Sequence, residues 1–162
     1  MNGYGEVAFR PDEPSLGGRI VLHWEPFAWL EEDERVMAHP HDPFSRIDVL
    51  RSDRRVRVEI GGVTVAESSR PMMLIETKLP VRWYLPREDV RMDLLAPSES
   101  HTVCAYKGIA SYLSAHNAPD VAWFYPDPLH DALRVKDMVC FWRAATVMVD
   151  DEPVDTSMPG SP

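Results

Sequence analysis

The chain is poor in cysteine: 162 residues contain two, Cys104 and Cys140, 36 positions apart and in neither a Cys-x-x-Cys nor a Cys-x-x-His pair. Cysteine-based structural zinc therefore has no ligand set, and two reduced thiols are the expectation. Basic residues are scarce too, with 17 Lys and Arg against 26 Asp and Glu and a formal net charge of −9. Such a field repels phosphate backbones and anionic lipid surfaces, so no nucleic acid and no membrane are expected as partners. No run approaches the roughly 18 apolar residues of a membrane span. The opening MNGYGEVAFRPDEPSLGG has neither the basic start nor the apolar core of a signal peptide. A soluble cytoplasmic protein is the expectation.

What the chain does have is punctuation. Fifteen prolines and eight glycines cut it into short apolar runs, and several of these alternate with period two, the signature of half-buried strands. In RVRVEIGGVTVAE the Gly61-Gly62 pair serves as a two-residue turn. Ile60 then opposes Val63 and Val58 opposes Val65 on an apolar face, with Glu59 opposite Thr64 on the other. Further strands are expected over 19–24, 27–31, 72–76, 81–85, 101–106, 109–115, 121–125, 138–143 and 145–149. One helix is expected after Asp127 as cap and Pro128 as first residue, with Leu129, Ala132 and Leu133 as its apolar stripe. A single turn is expected from Pro86. The fold class is mainly β, a compact antiparallel sandwich-like or barrel-like domain with one or two short helices.

The stretch TVCAYKGIASY from Thr102 reads as two strands around a bend at Lys107-Gly108, which leaves the Lys107 ammonium free to point at a ligand. The segment from His23, HWEPFAWLEEDERV, also echoes FWRAATVMVDDEPV from Phe141, matching Trp24 to Trp142. Residues 19–54 are accordingly expected to be the remnant strand pair and linker of a lost preceding copy, packed on a main domain over 55–154. Residues 1–18 and the polar, proline-rich tail 155–162 are expected to be flexible.

GGVTVAES, Glu76-Thr77, YLPREDVRMDLL, TVCAYKGIASY, AWFYPDPL and FWRAATVMVDDEPV resemble, in order and spacing, the domain of unknown function four-two-seven family. The resemblance implies a largely antiparallel, tent-shaped β domain. The family is sometimes labelled nucleotidyltransferase-like. Nucleotidyl transfer uses clustered carboxylates for two magnesium ions and a triphosphate cradle, whereas this chain has no Gly-Ser followed by Asp-x-Asp and no phosphate-binding loop.

Lys107, Tyr106, Gly108, Arg87, Trp123 and Tyr125 are the expected ligand-binding residues, around one pocket for a small anionic or polar aromatic metabolite. Arg87 is expected either to join Lys107 as an anion clamp or to pair with Asp89 or Asp93. Cys104 and Lys107 are the candidates for any catalysis. A Cys104-His101 dyad meets a geometric objection, because residues three apart on a strand point to opposite faces. His39, His41 and Asp42 offer metal-ligating atoms, but an extended His-Pro-His sends its rings apart, so no metal and no cofactor are expected. The competing readings are a pocketless interaction module that forms a homodimer, and nucleotidyl transfer as the family label has it.

Overall fold

The computed structural model describes residues 7–157. The chain divides into two compact units, Met1–Val36 and Met37–Pro162.

In the first unit, β1 (Ala8–Phe9) pairs with β2 (Val21–Leu22) and β3 (Leu30–Glu31) with β4 (Glu34–Arg35), all antiparallel. The strands expected over 19–24 and 27–31 thus shrink to two-residue ladders. Most of the apolar side chains here are exposed, among them Ile20, Leu22, Phe27 and Leu30, and Trp24 and Trp29 stack on one another with centroids 4.7 Å apart, each half-buried. The Trp29 indole N–H donates to the Trp24 carbonyl at 2.8 Å. Residues 1–6 of the expected flexible start lie outside the described residues; its remainder includes β1 and a 3₁₀ turn at Pro14–Leu16.

The second unit holds β5 (Ile47–Arg51), β6 (Val56–Ile60), β7 (Val63–Ser68), β8 (Met72–Glu76), β9 (Arg82–Leu85), β10 (Ala96–Cys104), β11 (Gly108–Ala115), β12 (Ala118–Phe124), β13 (Val139–Phe141), β14 (Ala145–Val149) and β15 (Glu152–Pro153). An open seven-stranded antiparallel sheet runs β10-β11-β12-β13-β9-β8-β5, and a four-stranded one runs β15-β14-β6-β7. The fold is mainly β, a two-sheet sandwich. β5, which falls inside the stretch expected to be linker, is the edge strand of the larger sheet: Val49 pairs with Leu74 and is buried.

Alternation along the larger sheet sorts its side chains into two cores. Trp83, Leu85, Leu113, Ala122, Val139 and Phe141 pack against Val56, Val58, Val65 and Val147 of the smaller sheet. Tyr84, Tyr112, Trp123, Tyr125 and Cys140 point the other way, into a second core with Leu74, Ala132 and Val135. β9 is therefore buried along its whole length, as a central strand covered on both faces must be.

Three local expectations are corrected. Val58 pairs with Ala66 rather than Val65, because a β-bulge between Thr64 and Ala66 adds one residue to β7. The expected helix is a 3₁₀ segment, His130–Val135, entered from Leu129 with no side-chain cap from Asp127. With three residues per turn its buried stripe falls on Ala132 and Val135, and Leu133 is exposed. The hairpin joining β11 to β12 turns at His116-Asn117 alone, with Asn117 at φ 62, so the strand following it starts at Ala118. The turn expected at Pro86 is present as Arg87–Asp89, followed by a second at Met92–Leu94.

Candidate functional site

The β10–β11 hairpin closes through Ala105, Tyr106 and Lys107, with Cys104 paired to Gly108. Gly108 sits at φ +92, and a Cβ there would come within 3.3 Å of the Asp127 carbonyl oxygen. The loop is clamped from outside. Leu129 N–H donates to the Lys107 carbonyl at 3.1 Å, the Asp42 N–H donates to the Tyr106 hydroxyl at 2.9 Å, and His41 Nε2 meets the Ala105 carbonyl at 2.7 Å. His41 and His39 both lie against the Tyr106 ring, at centroid distances of 4.6 and 5.7 Å. The HPHDP segment therefore holds the hairpin loop in place.

Behind this loop lies a cavity of about 440 Å³, opening on the second core of the larger sheet. Its wall is aromatic, with Tyr84, Tyr106, Tyr112, Trp123, Tyr125 and Trp142. The rings brace one another edge-on, Trp123 against Trp142 at 5.3 Å and Trp123 against Tyr84 at 6.2 Å. Trp123 Nε1–H donates to the Tyr84 hydroxyl at 3.1 Å, Trp142 Nε1–H to the Asp120 carbonyl at 2.6 Å, and Thr102 Oγ1 and the Tyr112 hydroxyl share a bond at 2.9 Å. The indoles are thus fixed by both packing and hydrogen bonds.

Lys107 lines this cavity and is buried, at 7% exposure. Its ammonium is not free, contrary to the expectation for the bend: Nζ–H donates to Glu76 Oε2 in an ion pair that ties the hairpin loop to the end of β8. Both side chains are nearly buried, so neither charge has much access to water, and each becomes the other's counter-charge. Arg82, from β9, lies with its guanidinium 5.6 Å from the centre of the Trp123 ring and donates to the Thr156 and Ser157 carbonyls at 2.6 and 3.2 Å. That contact fixes the first residues of the expected flexible tail; residues 158–162 lie outside the described residues.

The Lys107 ammonium has three N–H bonds, and Glu76 is its one hydrogen-bond partner among the described residues. The Tyr125 hydroxyl has no hydrogen-bond partner among them, and Tyr84 accepts from Trp123 while its own proton meets no acceptor. Burial holds both phenols protonated, pushing their pKa values above the ordinary tyrosine range, with help from neighbouring Cys140 and Tyr125 at Tyr84 and from Cys104 and Tyr112 at Tyr125. They are donors at every physiological pH.

Lys107, Tyr106, Trp123 and Tyr125 are thus brought to one cavity, and Cys104 and Thr102 join them there. Two expected residues are placed elsewhere. Arg87 lies on the opposite face of the sheet, its guanidinium 4.5 Å from the centre of the Phe124 ring, so it is no clamp partner of Lys107. It pairs with neither Asp89 nor Asp93, which are taken by Arg70 and Arg91 at 2.9 and 2.7 Å. Gly108 serves the backbone turn and does not line the cavity. His101 turns to the Ala110 carbonyl at 3.3 Å and is also outside it. Cys140, buried beneath the wall, has its thiol pushed up to about 12 by desolvation, so it stays protonated.

Glu76, Arg82 and Trp142 are site residues that the sequence analysis did not single out. Their signal was there in part. Met72, Leu74 and Glu76 share one face of β8, which puts a carboxylate at the end of an otherwise apolar inward row.

Fold and cavity together define an antiparallel β-sandwich with a partly open aromatic site on the outer face of its larger sheet. Residues 48–155 match the model of a family described as Domain of unknown function (DUF427), and the chain belongs to that family. No curated protein matches the chain.

Proposed function

We propose that the chain binds a small, planar, polar aromatic molecule in the cavity behind the β10–β11 hairpin. The observation that carries this reading is the combination of about 440 Å³ of space with a wall of aromatic rings and one buried ion pair. A volume of that order suits a one- or two-ring metabolite. Stacking and edge contacts with Trp123 and Trp142 supply affinity, and the spare donors on Lys107, Tyr84 and Tyr125 call for a ligand rich in acceptor oxygens. Because Glu76 already balances the Lys107 charge, the polar aromatic ligand is favoured over a strongly anionic one.

Two features support binding over the alternatives. Lys107 is buried beside Trp123 in one cavity rather than projecting into solvent, the arrangement a pocketless interaction module has no use for. The cavity wall also carries one carboxylate, Glu76, and Lys107 engages it; two-metal nucleotidyl transfer needs a cluster of free ones.

A thermal-shift screen tests the reading directly. Planar aromatics bearing carbonyl oxygens are expected to raise the melting temperature, since a ligand at a hundred times its Kd adds about 2.7 kcal/mol of stability. Aliphatic phosphates and nucleoside triphosphates are expected to leave it unchanged. A shift confined to the triphosphates would overturn the reading in favour of nucleotide chemistry.

A further inference from the structure

Of the 17 basic residues of the chain, three are lysines: Lys78, Lys107 and Lys136. Lys78 and Lys136 are exposed, and Lys107 alone is buried. The distinction is chemical. A guanidinium keeps its proton and cannot act as a nucleophile, whereas an amine can lose one and attack a carbonyl. Most surface ion pairs among the described residues use arginine, as at Arg54, Arg55, Arg70 and Arg91, with Lys136–Asp127 an exception. Two basic side chains line the aromatic cavity, Arg82 and Lys107, and Lys107, paired with the Glu76 carboxylate, is the one that is a primary amine.

We propose that Lys107 captures an aromatic aldehyde or ketone as a protonated Schiff base, with Glu76 as proton acceptor, proton donor and finally counter-ion. The inference rests on the cavity being a binding site for planar, acceptor-bearing aromatics and names the reacting group of its ligand. In a cavity filled by an aromatic ligand, moving the proton from ammonium to Glu76 turns an ion pair into a neutral amine and a neutral acid. The hydrogen bond between the two groups is the path for this transfer. The amine nitrogen then attacks the carbonyl carbon, the N–C bond forms, and a proton passes from nitrogen to the former carbonyl oxygen to give a carbinolamine. Glu76 returns its proton to that hydroxyl, the C–O bond breaks, and water leaves. An ammonium and a carbonyl have become a protonated imine and one water, with no change in oxidation state. The positive charge stays on the same nitrogen, facing the same carboxylate, so the product inherits the electrostatics of the resting pair. The Tyr125 hydroxyl, which has no partner among the described residues and stays protonated, is a donor for an oxygen on the ligand ring.

The test uses the full chain with 2-naphthaldehyde and sodium cyanoborohydride, which reduces an iminium to a stable secondary amine, followed by intact-mass measurement and peptide mapping. One adduct per chain is expected, on Lys107, formed well ahead of any on Lys78, Lys136 or the N-terminal amine. Lys107→Arg keeps a cation opposite Glu76 and is expected to lose the adduct; Glu76→Gln is expected to slow trapping by about a hundredfold or more, the scale of a lost general acid-base group. The parent map decides even if a variant fails to fold. Labelling spread over the exposed amines, with Lys107 unmarked, overturns the proposal. Parallel titration with 2-naphthalenemethanol separates it from the cavity reading: if the alcohol binds while the aldehyde is not trapped at Lys107, covalent capture falls and the binding site stands. If neither compound engages the cavity, both fall.

Discussion

Lys107, in a hairpin loop at the sheet's far edge, and Glu76, at the end of β8, form a nearly buried ion pair although 31 positions separate them. The pair joins the β10–β11 hairpin to a strand four places beyond β11 in the sheet order. Removing one partner leaves the other charge in a poorly solvated place. Lys107→Ala is therefore expected to lower stability by about 3–5 kcal/mol, and Lys107→Met with Glu76→Leu together to recover most of that loss. Urea denaturation of the two single variants and the double variant measures the coupling. Losses that simply add would show that the two side chains do not interact.

Gly108 is expected to be intolerant for a backbone reason. Its φ of +92 and the 3.3 Å approach of the Asp127 carbonyl both oppose a Cβ. Gly108→Ala should cost about 1–3 kcal/mol, read as a fall in the urea midpoint. A variant as stable as the parent would show that the loop relaxes freely.

The two thiols are expected to part company. Cys104 is half-exposed and lines the cavity, while Cys140 is buried with its thiol pushed up to about 12. Ellman's reagent should titrate one thiol in the native protein and two in denaturant, and a cavity ligand should protect the first. Two fast native thiols would contradict the burial of Cys140 and the packing beneath the aromatic wall.

Asp89 provides a pH test. It accepts from Arg70 at 3.1 and 2.9 Å and from the Ser68 hydroxyl at 2.7 Å, and the Arg70 bonds hold its carboxyl below the ordinary carboxylate range. A carboxyl depressed in the folded state stabilises above its unfolded pKa, and that contribution is lost as pH falls through the folded value. Asp89→Asn should thus cost about 1 kcal/mol at neutral pH, with the difference closing in acid. A cost that persists unchanged to low pH would mean the loss is packing rather than charge.

Much of the larger unit was legible because period-two alternation reports which face each side chain takes. Trp123 and Tyr125 on one face and Ala122 and Phe124 on the other are read from four consecutive residues, and the structure sorts them the same way. Alternation says nothing about which strands become neighbours. Arg87 therefore lies over Phe124 on the far face, and Lys107 meets a carboxylate from β8 that no local pattern connects to it. The bulge that puts Ala66 opposite Val58 and the 3₁₀ winding at His130–Val135 are set by packing, which overrides the turn and cap signals of a few residues. Strand β5 is not legible because IDVLR follows a stretch of His, Pro and Asp that reads as linker, and what holds it, pairing with β8 and the Arg134 hydrogen bond to the Val49 carbonyl, comes from distant parts of the chain.

The central claim is that the aromatic cavity is a ligand site, and filling it is the most direct test. Calorimetric titration of the parent and of Cys104→Trp with a planar aromatic from the thermal-shift screen compares an open cavity with an occupied one. The account predicts saturable binding to the parent and at least about a hundredfold weaker binding to the filled variant, a loss of about 2.7 kcal/mol, with the circular dichroism spectrum unchanged. Equal affinity for both proteins would place the ligand elsewhere and contradict the claim.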